Sequence, residues 1–307
     1  MSVKLTRSRK NPILQPRSGL AWEGKSTTNP GAVKVGDITH ILYRAVDARN
    51  ISRLGYATTT DGETVVERTM EPVLSPTATW EEFGCEDPRI TNFGGNFYVF
   101  YTAYSREGPR IAAASTSDFR NYTRYGIVGP DHDDKDCALF PERIDGQLAA
   151  VHRIEPNIEL AFFDRVKKLD TAPHHPNSKK YLEHIQANVI MKPERKWEAQ
   201  KVGIGPPPIR TNAGWLVVYH GVDLNSVYRA GAAILDLENP RRVIARTPDP
   251  ILEPEEEYER VGVVPNVVFP EGAVVTGDQL RVYYGGADRV CCLASISMKL
   301  LLESLEG

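Results

Sequence analysis

The chain has 307 residues, of which 41% are hydrophobic and 25% are charged, a composition that is ordinary for a soluble globular protein. Its net charge of −3 argues against a general attraction to nucleic acid or to a membrane surface. No apolar stretch is long enough to span a bilayer, and no apolar run near the N-terminus predicts a signal peptide. Four cysteines without metal-like spacing predict buried, reduced thiols in a cytoplasmic protein: Cys85, Cys137, Cys291 and Cys292.

Taken in chain order, five similar units recur at intervals of about 50 to 65 residues. Each unit has a turn with Gly, Asn or Asp, an apolar strand, a short polar link and a second strand of small residues. The apolar strands are predicted at residues 41–47, 99–103, 150–154, 217–223 and 282–288. With a further strand before each turn, every unit is typical of an antiparallel meander. Five meanders around an axis predict an all-β, five-bladed β-propeller that forms one domain of residues 1–307.

The main alternative is a β-sandwich whose strands resemble one another by chance. The propeller is favoured because the repeated unit includes polar positions as well as apolar ones. Helix is scarce, although residues 298–305 predict a short C-terminal helix. Residues 173–186 contain several His and Lys residues at irregular spacing, which predicts a long polar loop between units rather than a metal site.

The polar positions of the repeat point towards a common site. The five units align on an aromatic residue or histidine: Tyr43, Tyr101, His152, Tyr219 and Tyr284. The residues that follow are Arg44, Thr102, Arg153, His220 and Gly285. Equivalent positions of propeller blades lie near one end of the axis, so Arg44, Arg153 and His220 are expected to converge. Such a cluster is costly unless an anion neutralises it, and the alternative is that each cation forms a buried ion pair with a neighbouring carboxylate.

Further charged residues are expected at the same end of the axis. The motif Glu86-Asp87-Pro88-Arg89 stands between a turn and an apolar strand, where an acid beside a cation suits general acid catalysis. Lys135 and Lys201 each begin an apolar segment that enters a unit. Acids stand at matching places: Asp87, Glu142, Glu271 and Asp288. The pattern predicts a carbohydrate site with an anion subsite.

The segments that carry these residues, taken together and in order, resemble glycoside hydrolase family 130, the inverting mannoside phosphorylases and related β-mannosidases. The resemblance covers nearly the whole chain. Its supporting segments include Asn29-Pro30-Gly31-Ala32, Tyr43-Arg44-Ala45, Glu86-Asp87-Pro88-Arg89-Ile90, Lys135-Asp136, Leu139-Phe140-Pro141-Glu142, His152-Arg153, Lys201-Val202-Gly203, Tyr219-His220-Gly221-Val222 and Tyr284-Gly285-Gly286-Ala287-Asp288. The fold of that family is a five-bladed propeller, which agrees with the repeat.

The resemblance implies that Asp87 is the catalytic acid and acts through the 3-hydroxyl of the mannosyl unit, which relays the proton to the leaving oxygen. It implies a phosphate site formed by Lys135, Arg153, Lys201 and His220. It also implies sugar-binding residues, namely Asn29, Arg44 and Asp288, with Tyr228 and Phe269 as aromatic neighbours. For Glu86 and Arg89 we expect a supporting role beside the substrate.

All four implied phosphate positions carry Lys, Arg or His, which favours phosphorolysis. The expected activity is that of an inverting phosphorylase of the glycosyltransferase type, which cleaves β-1,2- or β-1,4-manno-oligosaccharides with inorganic phosphate to give α-mannose 1-phosphate. The alternatives are an inverting β-mannosidase, with Glu142 or Glu271 as base, and a non-catalytic carbohydrate-binding propeller. We expect no metal or organic cofactor, no nucleic-acid or membrane partner, and a homo-oligomer. The sequence leaves the linkage, the acceptor sugar and the chain length open.

Overall fold

The computed structural model describes residues 3–166 and 176–306. Within them the chain is predominantly β-structure, as the sequence predicts. The helices are short, and none is both long and apolar enough to cross a membrane in the described ranges. They are α1 (Pro176–Glu183), α2 (Ile185–Asn188), α3 (Glu257–Arg260) and α4 (Met298–Glu306). The predicted C-terminal helix is therefore confirmed.

The strands follow one another as antiparallel meanders. Strand β1 (Thr6–Arg7) comes first and pairs with the last strand of the chain. The first meander contains β2 (Ser26–Val35), β3 (Ile38–Val46), β4 (Ser52–Thr59) and β5 (Val65–Arg68). The second contains β6 (Gly84–Phe93), β7 (Asn96–Ser105), β8 (Gly108–Thr116) and β9 (Thr123–Ile127). These two meanders share one sheet through a single parallel pairing of Ser52 with Gly84.

The remaining meanders form separate sheets. The third contains β10 (Lys135–Leu139), β11 (Leu148–Arg153), β12 (Ile158–Phe163) and β13 (Val189–Met191). The fourth contains β14 (Lys201–Ile204), β15 (Ile209–Thr211), β16 (Gly214–Val222), β17 (Tyr228–Leu235) and β18 (Val243–Arg246). The fifth contains β19 (Val268–Thr276), β20 (Gln279–Gly286) and β21 (Val290–Ser297), and β1 supplies its outer strand.

The predicted loop at residues 173–186 is wrong where the structure describes it, because α1 and the beginning of α2 lie there; residues 173–175 fall outside the described ranges. A tertiary contact helps to explain the difference. The hydroxyl of Tyr181 on α1 lies 2.6 Å from Nε2 of His152 on β11, so the helix is held against the third meander.

The alternation of side chains along each strand builds apolar cores on both faces of a meander. On β16, Trp215 and Val217 pack with the third meander, whereas Leu216 and Val218 pack with the fifth. This is the period-two pattern of a strand that is buried on both faces. Further cores join the first meander to the second, the second to the third, and the fifth to the first. Each meander therefore shares apolar cores with two others.

A buried acid before the first strand of each meander ties its strands together. The acids are Glu23, Glu81, Asp134, Glu198 and Glu259. In the fourth meander, the Tyr219 hydroxyl donates to Glu198 at 3.0 Å, and Arg246 of the outer strand donates to it at 2.8 Å. The same Tyr–Glu–Arg arrangement occurs in the first, second and fifth meanders, so four of the five have it. In the fifth meander the arginine is Arg7 of β1. In the third, His152 and Asp134 pair at 2.8 Å instead.

The buried guanidinium of Arg89 on β6 connects the first strands of four meanders. Only 1% of this residue is exposed. It donates to the carbonyl oxygens of Ile204 and Gly205 at 2.9 and 2.8 Å, and it contacts Asp136 at 3.2 Å and Glu271 at 3.1 Å. A buried charge is tolerated when its donors are satisfied in this way. The guanidinium is therefore a structural junction between β6, β10, the end of β14 and β19.

Replacing Arg89 with methionine is expected to lower the free energy of unfolding by about 3–5 kcal/mol, because the change leaves Asp136 and Glu271 buried without their shared cation. Chemical denaturation measures this loss. The matched control is Arg106→Gln, since Arg106 pairs with Glu82 at 3.1 Å with 80% of its side chain exposed. The control should change stability by less than about 1 kcal/mol. Equal effects of the two substitutions would contradict the role of Arg89.

Candidate active site

The first strands of four meanders are irregular at a similar point. The pairing register shifts at Asn29 on β2, at Asp87 on β6, at Asp136 on β10 and at Glu271 on β19. Asn29, Asp87 and Asp136 adopt left-handed backbone angles, with φ of 48°, 53° and 57°. Asn and Asp tolerate this region better than most residues, and bulges redirect side chains out of the ladder. Local backbone strain of this kind is a frequent feature of functional sites.

Strand β14 pairs without a register shift and carries a glycine in this region. A Cβ atom on Gly203 would overlap the ring of His220 and crowd the carboxylate of Asp136. Gly203 therefore leaves the space that those two side chains occupy. This local requirement explains why the segment Lys201-Val202-Gly203 must contain a residue without a side chain.

An open cavity of about 190 Å³ lies beside these irregularities. Its lining includes every residue predicted to act as the acid, to bind phosphate or to contact the sugar, except His220; Glu86, Arg89, Glu142 and Glu271 do not line it either. The lining consists of Asn29, Arg44, Asp87, Lys135, Asp136, Arg153, Glu155, Lys201, Tyr228, Val264, Val267, Phe269 and Asp288. The structure thus brings residues from all five meanders, or from the segments between them, to one cavity.

The carboxyl group of Asp87 is almost buried and is held from two sides. Asn29 Nδ2 donates to its Oδ1 at 2.8 Å, and Arg44 Nη1 lies 3.4 Å from the same atom. Burial alone would raise the pKa of Asp87, but Arg44, Lys135 and the Asn29 hydrogen bond outweigh burial and lower the pKa. In the absence of ligands, Asp87 is therefore a carboxylate at neutral pH. Its environment orients it and also keeps it charged.

Glu86 and Arg89 lie behind this surface, where they position other side chains. Glu86 Oε1 accepts from Arg44 at 2.6 Å and from Ser52 at 2.9 Å, and its Oε2 lies 3.7 Å from Lys135 Nζ. Glu86 therefore holds two of the cations that line the cavity. Neither Glu86 nor Arg89 lines the cavity itself, and their expected supporting role beside the substrate stays a prediction.

Two further cations stand close together on another part of the wall. Arg153 Nε contacts Asp136 at 2.6 Å, and its Nη1 donates to Glu155 Oε1 at 2.7 Å. Lys201 Nζ donates to the same Glu155 oxygen, also at 2.7 Å, and lies 5.9 Å from the centre of the Tyr228 ring. With Lys135, these groups give the cavity the cations that an anion would need.

The structure places His220 differently from the sequence expectation. Its side chain is fully buried and does not line the cavity. Its ring centre lies 4.5 Å from that of Phe269, and its Nε2 lies 3.8 Å from Asp136 Oδ2. Burial is the main reason that its pKa falls to about 3, so the imidazole is neutral. His220 therefore lies behind the cationic wall of the cavity rather than on it, because Phe269 and Tyr228 pack beside it.

A second cavity of about 90 Å³ adjoins the first. The two share Arg44 and Asp288. Its other lining residues are Lys25, Ser26, Thr28, Val46, Asn50 and Val263. Burial raises the pKa of Asp288, although Arg44 acts in the opposite direction. Arg44 and Asp288 therefore lie where the two cavities meet. Arg153 and Lys201 line the first cavity but not the second.

The two glutamates considered as bases for water do not line either cavity. Glu142 forms an ion pair with Arg210 in which both side chains are about half exposed. Glu271 is completely buried beneath Arg89, and burial raises its pKa well above the usual range. The structure thus argues against either residue as the base of a hydrolase.

Asp136 and Glu155 line the cavity but were not singled out from the sequence. Each follows a predicted cation, Asp136 directly after Lys135 and Glu155 two positions after Arg153. Their position beside a predicted cation could have indicated that these acids belong to the site, but acids beside cations are common on solvated surfaces. All four cysteines are free and buried, as predicted. Within the described part of the chain, no group of three or more His, Cys, Asp or Glu could hold a metal ion.

Comparison with known proteins identifies the family. A family model described as beta-1,4-mannooligosaccharide phosphorylase matches residues 7–306. The chain is 40% identical to 1,2-beta-oligomannan phosphorylase and 38% identical to beta-1,2-mannobiose phosphorylase, both from Thermoanaerobacter sp. (strain X514); the first match covers 97% of this chain and 98% of the relative, the second 93% and 94%.

A solved structure of β-1,2-mannobiose phosphorylase from Listeria innocua, in complex with β-1,2-mannobiose, superposes with a TM-score of 0.84. That match has 27% sequence identity and covers 98% of this chain and 99% of the other. The similarity in sequence and structure extends through the elements that carry Asp87 and the cations of the cavity. The chain therefore belongs to glycoside hydrolase family 130.

Proposed function

We propose that the protein is an inverting β-mannoside phosphorylase of the glycosyltransferase type, which cleaves manno-oligosaccharides with inorganic phosphate and releases α-mannose 1-phosphate. The observation that carries this proposal is one cavity in which Asp87 faces a group of cations, namely Lys135, Arg153 and Lys201. A phosphorylase needs one acid and a cationic site for its nucleophile. An inverting hydrolase needs a second carboxyl group that activates water.

We also propose that the five meanders are the blades of one propeller domain. Two observations support this arrangement. The apolar cores join each meander to two others in cyclic order, and β1 completes the fifth meander from the other end of the chain. The first strand of each meander would then lie nearest the axis, which accounts for the convergence of Asn29, Asp87 and Asp136.

The reaction follows from the arrangement of the cavities. Phosphate would lie against Arg153, Lys201 and Lys135, which neutralise its charge. The mannosyl unit would lie between that phosphate and the leaving sugar, beside Asn29, Asp87 and Asp288. Inversion requires attack from the face opposite the leaving group, so the leaving sugar would occupy the second cavity, beyond Arg44 and Asp288. Asp87 would supply the proton through the 3-hydroxyl of the mannosyl unit.

Asp87 must acquire a proton before it can act as an acid. Burial opposes its charged form, and the neighbouring cations are what lower its pKa in the free protein. A phosphate dianion placed beside Lys135 would offset part of that positive field and so raise the pKa of Asp87. Phosphate binding and protonation of the acid would therefore be coupled.

The preferred linkage is proposed to be β-1,2. The names of the two Thermoanaerobacter relatives and of the Listeria structure support this choice, whereas the description of the family model supports a β-1,4 linkage. We further propose that the enzyme is a cytoplasmic homo-oligomer that needs no metal or organic cofactor. The cytoplasm supplies phosphate, and the nucleophile carries its own charge.

A hydrolase is the second candidate, but the two carboxylates that contact the cations of the wall are poorly suited to act as its base. Asp136 and Glu155 line the wall, and both carboxylates are held by cations. Burial tends to raise the pKa of Asp136, but Arg153 and Arg89 lower this pKa overall. Partial burial likewise tends to raise the pKa of Glu155, but Lys201 and Arg153 lower it overall. Carboxylates with so little affinity for a proton are poor general bases.

The central test is cleavage of β-1,2- and β-1,4-mannobiose with and without inorganic phosphate. We expect mannose 1-phosphate to form only when phosphate is present, and to form faster from the β-1,2 isomer. Product anomers are assigned by NMR. Release of mannose at the same rate without phosphate would indicate a hydrolase, and no turnover of either isomer would favour a binding protein.

Asp87→Asn is expected to lower kcat by about 10²–10⁴-fold, because the amide cannot transfer the proton. The hydrogen bonds to Asn29 and Arg44 should be perturbed without loss of the fold, which circular dichroism and thermal unfolding can check. Asn121→Asp, a substitution between the same two residue types at an exposed position, serves as the control. Near-normal turnover by the Asp87 variant would remove this residue from the mechanism.

Lys201→Ala is expected to raise KM for phosphate by about 10- to 100-fold while changing KM for the mannoside much less, because a charge-assisted contact to the anion is lost. Initial-rate kinetics with each substrate varied in turn measures the two constants. Lys196→Ala, which alters a lysine outside the cavity, is the control. Equal increases in both constants would argue against a phosphate site at Lys201.

A further inference from the structure

Glu155 occupies the place where an anion would be expected. Its Oε1 accepts from Arg153 Nη1 and from Lys201 Nζ, at 2.7 Å in each case. These are two of the cations to which the proposed function assigns phosphate. One carboxylate oxygen of the protein thus bridges them, and the residue lines the same cavity. Glu155 is close to Arg153 in the sequence but far from Lys201. Its two contacts therefore connect the third meander to the fourth.

The two acids that contact Arg153 differ in their freedom to move. Asp136 is completely buried and is also held by Arg89. By contrast, 57% of the Glu155 side chain is exposed. The exposed side gives Glu155 room to turn into solvent, where water can solvate its charge. The buried side chain of Asp136 cannot turn into solvent in this way. Arg153 therefore has one fixed acidic partner and one that can be displaced.

We infer that Glu155 is an internal substitute for phosphate, which bridges Arg153 and Lys201 in the free enzyme and is displaced when phosphate binds. This inference rests on the proposed phosphorolysis. Two anions cannot share the same two donors without strong repulsion, because like charges at a distance of a few ångströms disfavour one another. The arriving phosphate presents more charge and more acceptor oxygens, so it can replace the single bridging oxygen.

The bridge that Glu155 forms between Arg153 and Lys201 has a physical advantage before phosphate binds. Two adjacent cations without an anion would repel each other and would spread into solvent. Glu155 holds them at a separation suited to a shared oxygen, so the site is already assembled when phosphate arrives. The same contact weakens phosphate binding, since the ion pairs to Glu155 must be broken first. Glu155 therefore sets the phosphate concentration that the enzyme requires.

Glu155→Gln tests this role, because the amide keeps the size of the side chain and removes its charge. We expect KM for phosphate to fall by about three- to tenfold at saturating β-1,2-mannobiose, which corresponds to about 0.6–1.4 kcal/mol. In the synthetic direction, KM for α-mannose 1-phosphate should fall in the same way, because its phosphate uses the same donors. The KM for the mannoside should stay unchanged, a split that a general structural defect would not produce.

Glu194→Gln is the matched control. Glu194 has 60% of its side chain exposed and pairs with the buried Arg246 at 3.2 Å, outside the cavity. Its removal should leave every KM unchanged. Glu155→Asp, in which a shorter side chain retains the charge but cannot keep both contacts, should lower KM for phosphate by a smaller factor. This second variant keeps the test valid if the glutamine variant folds poorly in thermal melts.

An unchanged KM for phosphate in both variants would overturn the inference, because it would show that Glu155 does not compete with the ligand. An increase would also overturn it, since Glu155 would then contribute to holding bound phosphate. Both outcomes require that the wild-type enzyme uses phosphate. If cleavage by the wild type does not depend on phosphate, the proposed function itself fails, and this result is distinct from either of the others.

Discussion

The guanidinium of Arg89 is the contact on which the site depends. It pairs with the carboxylate of Asp136, contacts Glu271 and satisfies two carbonyl oxygens of another meander. Asp136, held in this way, in turn contacts Arg153 at 2.6 Å. A chain of charge pairs therefore runs from the interior to the cavity wall. Its members must all be present, because one uncompensated charge at this depth would cost several kcal/mol.

The same principle explains how several cations can line one cavity in a protein without bound phosphate. Each cation has an acidic partner within the protein: Arg44 and Lys135 share Glu86, and Arg153 and Lys201 share Glu155. These pairs offset most of the repulsion between the cations. They differ in burial, since Glu86 is enclosed whereas Glu155 reaches solvent. An incoming anion can therefore replace one acid while the other continues to hold the wall.

The recurring units of the sequence predicted the strands, and because equivalent positions of a repeat converge, Arg44 and Arg153 could be placed together. Other cavity residues, namely Asn29, Tyr228 and Phe269, were implied only by the family resemblance. The burial of His220 was not predictable in this way, since Phe269 and Tyr228 cover it from distant parts of the chain. Helix α1 was likewise missed because its contact to His152 comes from another element. An aromatic residue followed by an acid, such as Trp80-Glu81, is a sequence pattern that could have predicted the buried acid before the first strand of a meander.

Identical units that converge on one cavity would place identical side chains there, so a cavity with varied side chains requires that the repeat be broken. The residues after the aligned aromatic positions show where this occurs. Arg44 and Arg153 supply charge, whereas Gly285 supplies space. A Cβ atom on Gly285 would overlap the side-chain oxygen of Asn29, whose amide nitrogen donates to Asp87 at 2.8 Å. The position that carries a cation in two meanders must therefore be empty in the fifth, because the neighbouring Asn29 needs that volume to orient the acid.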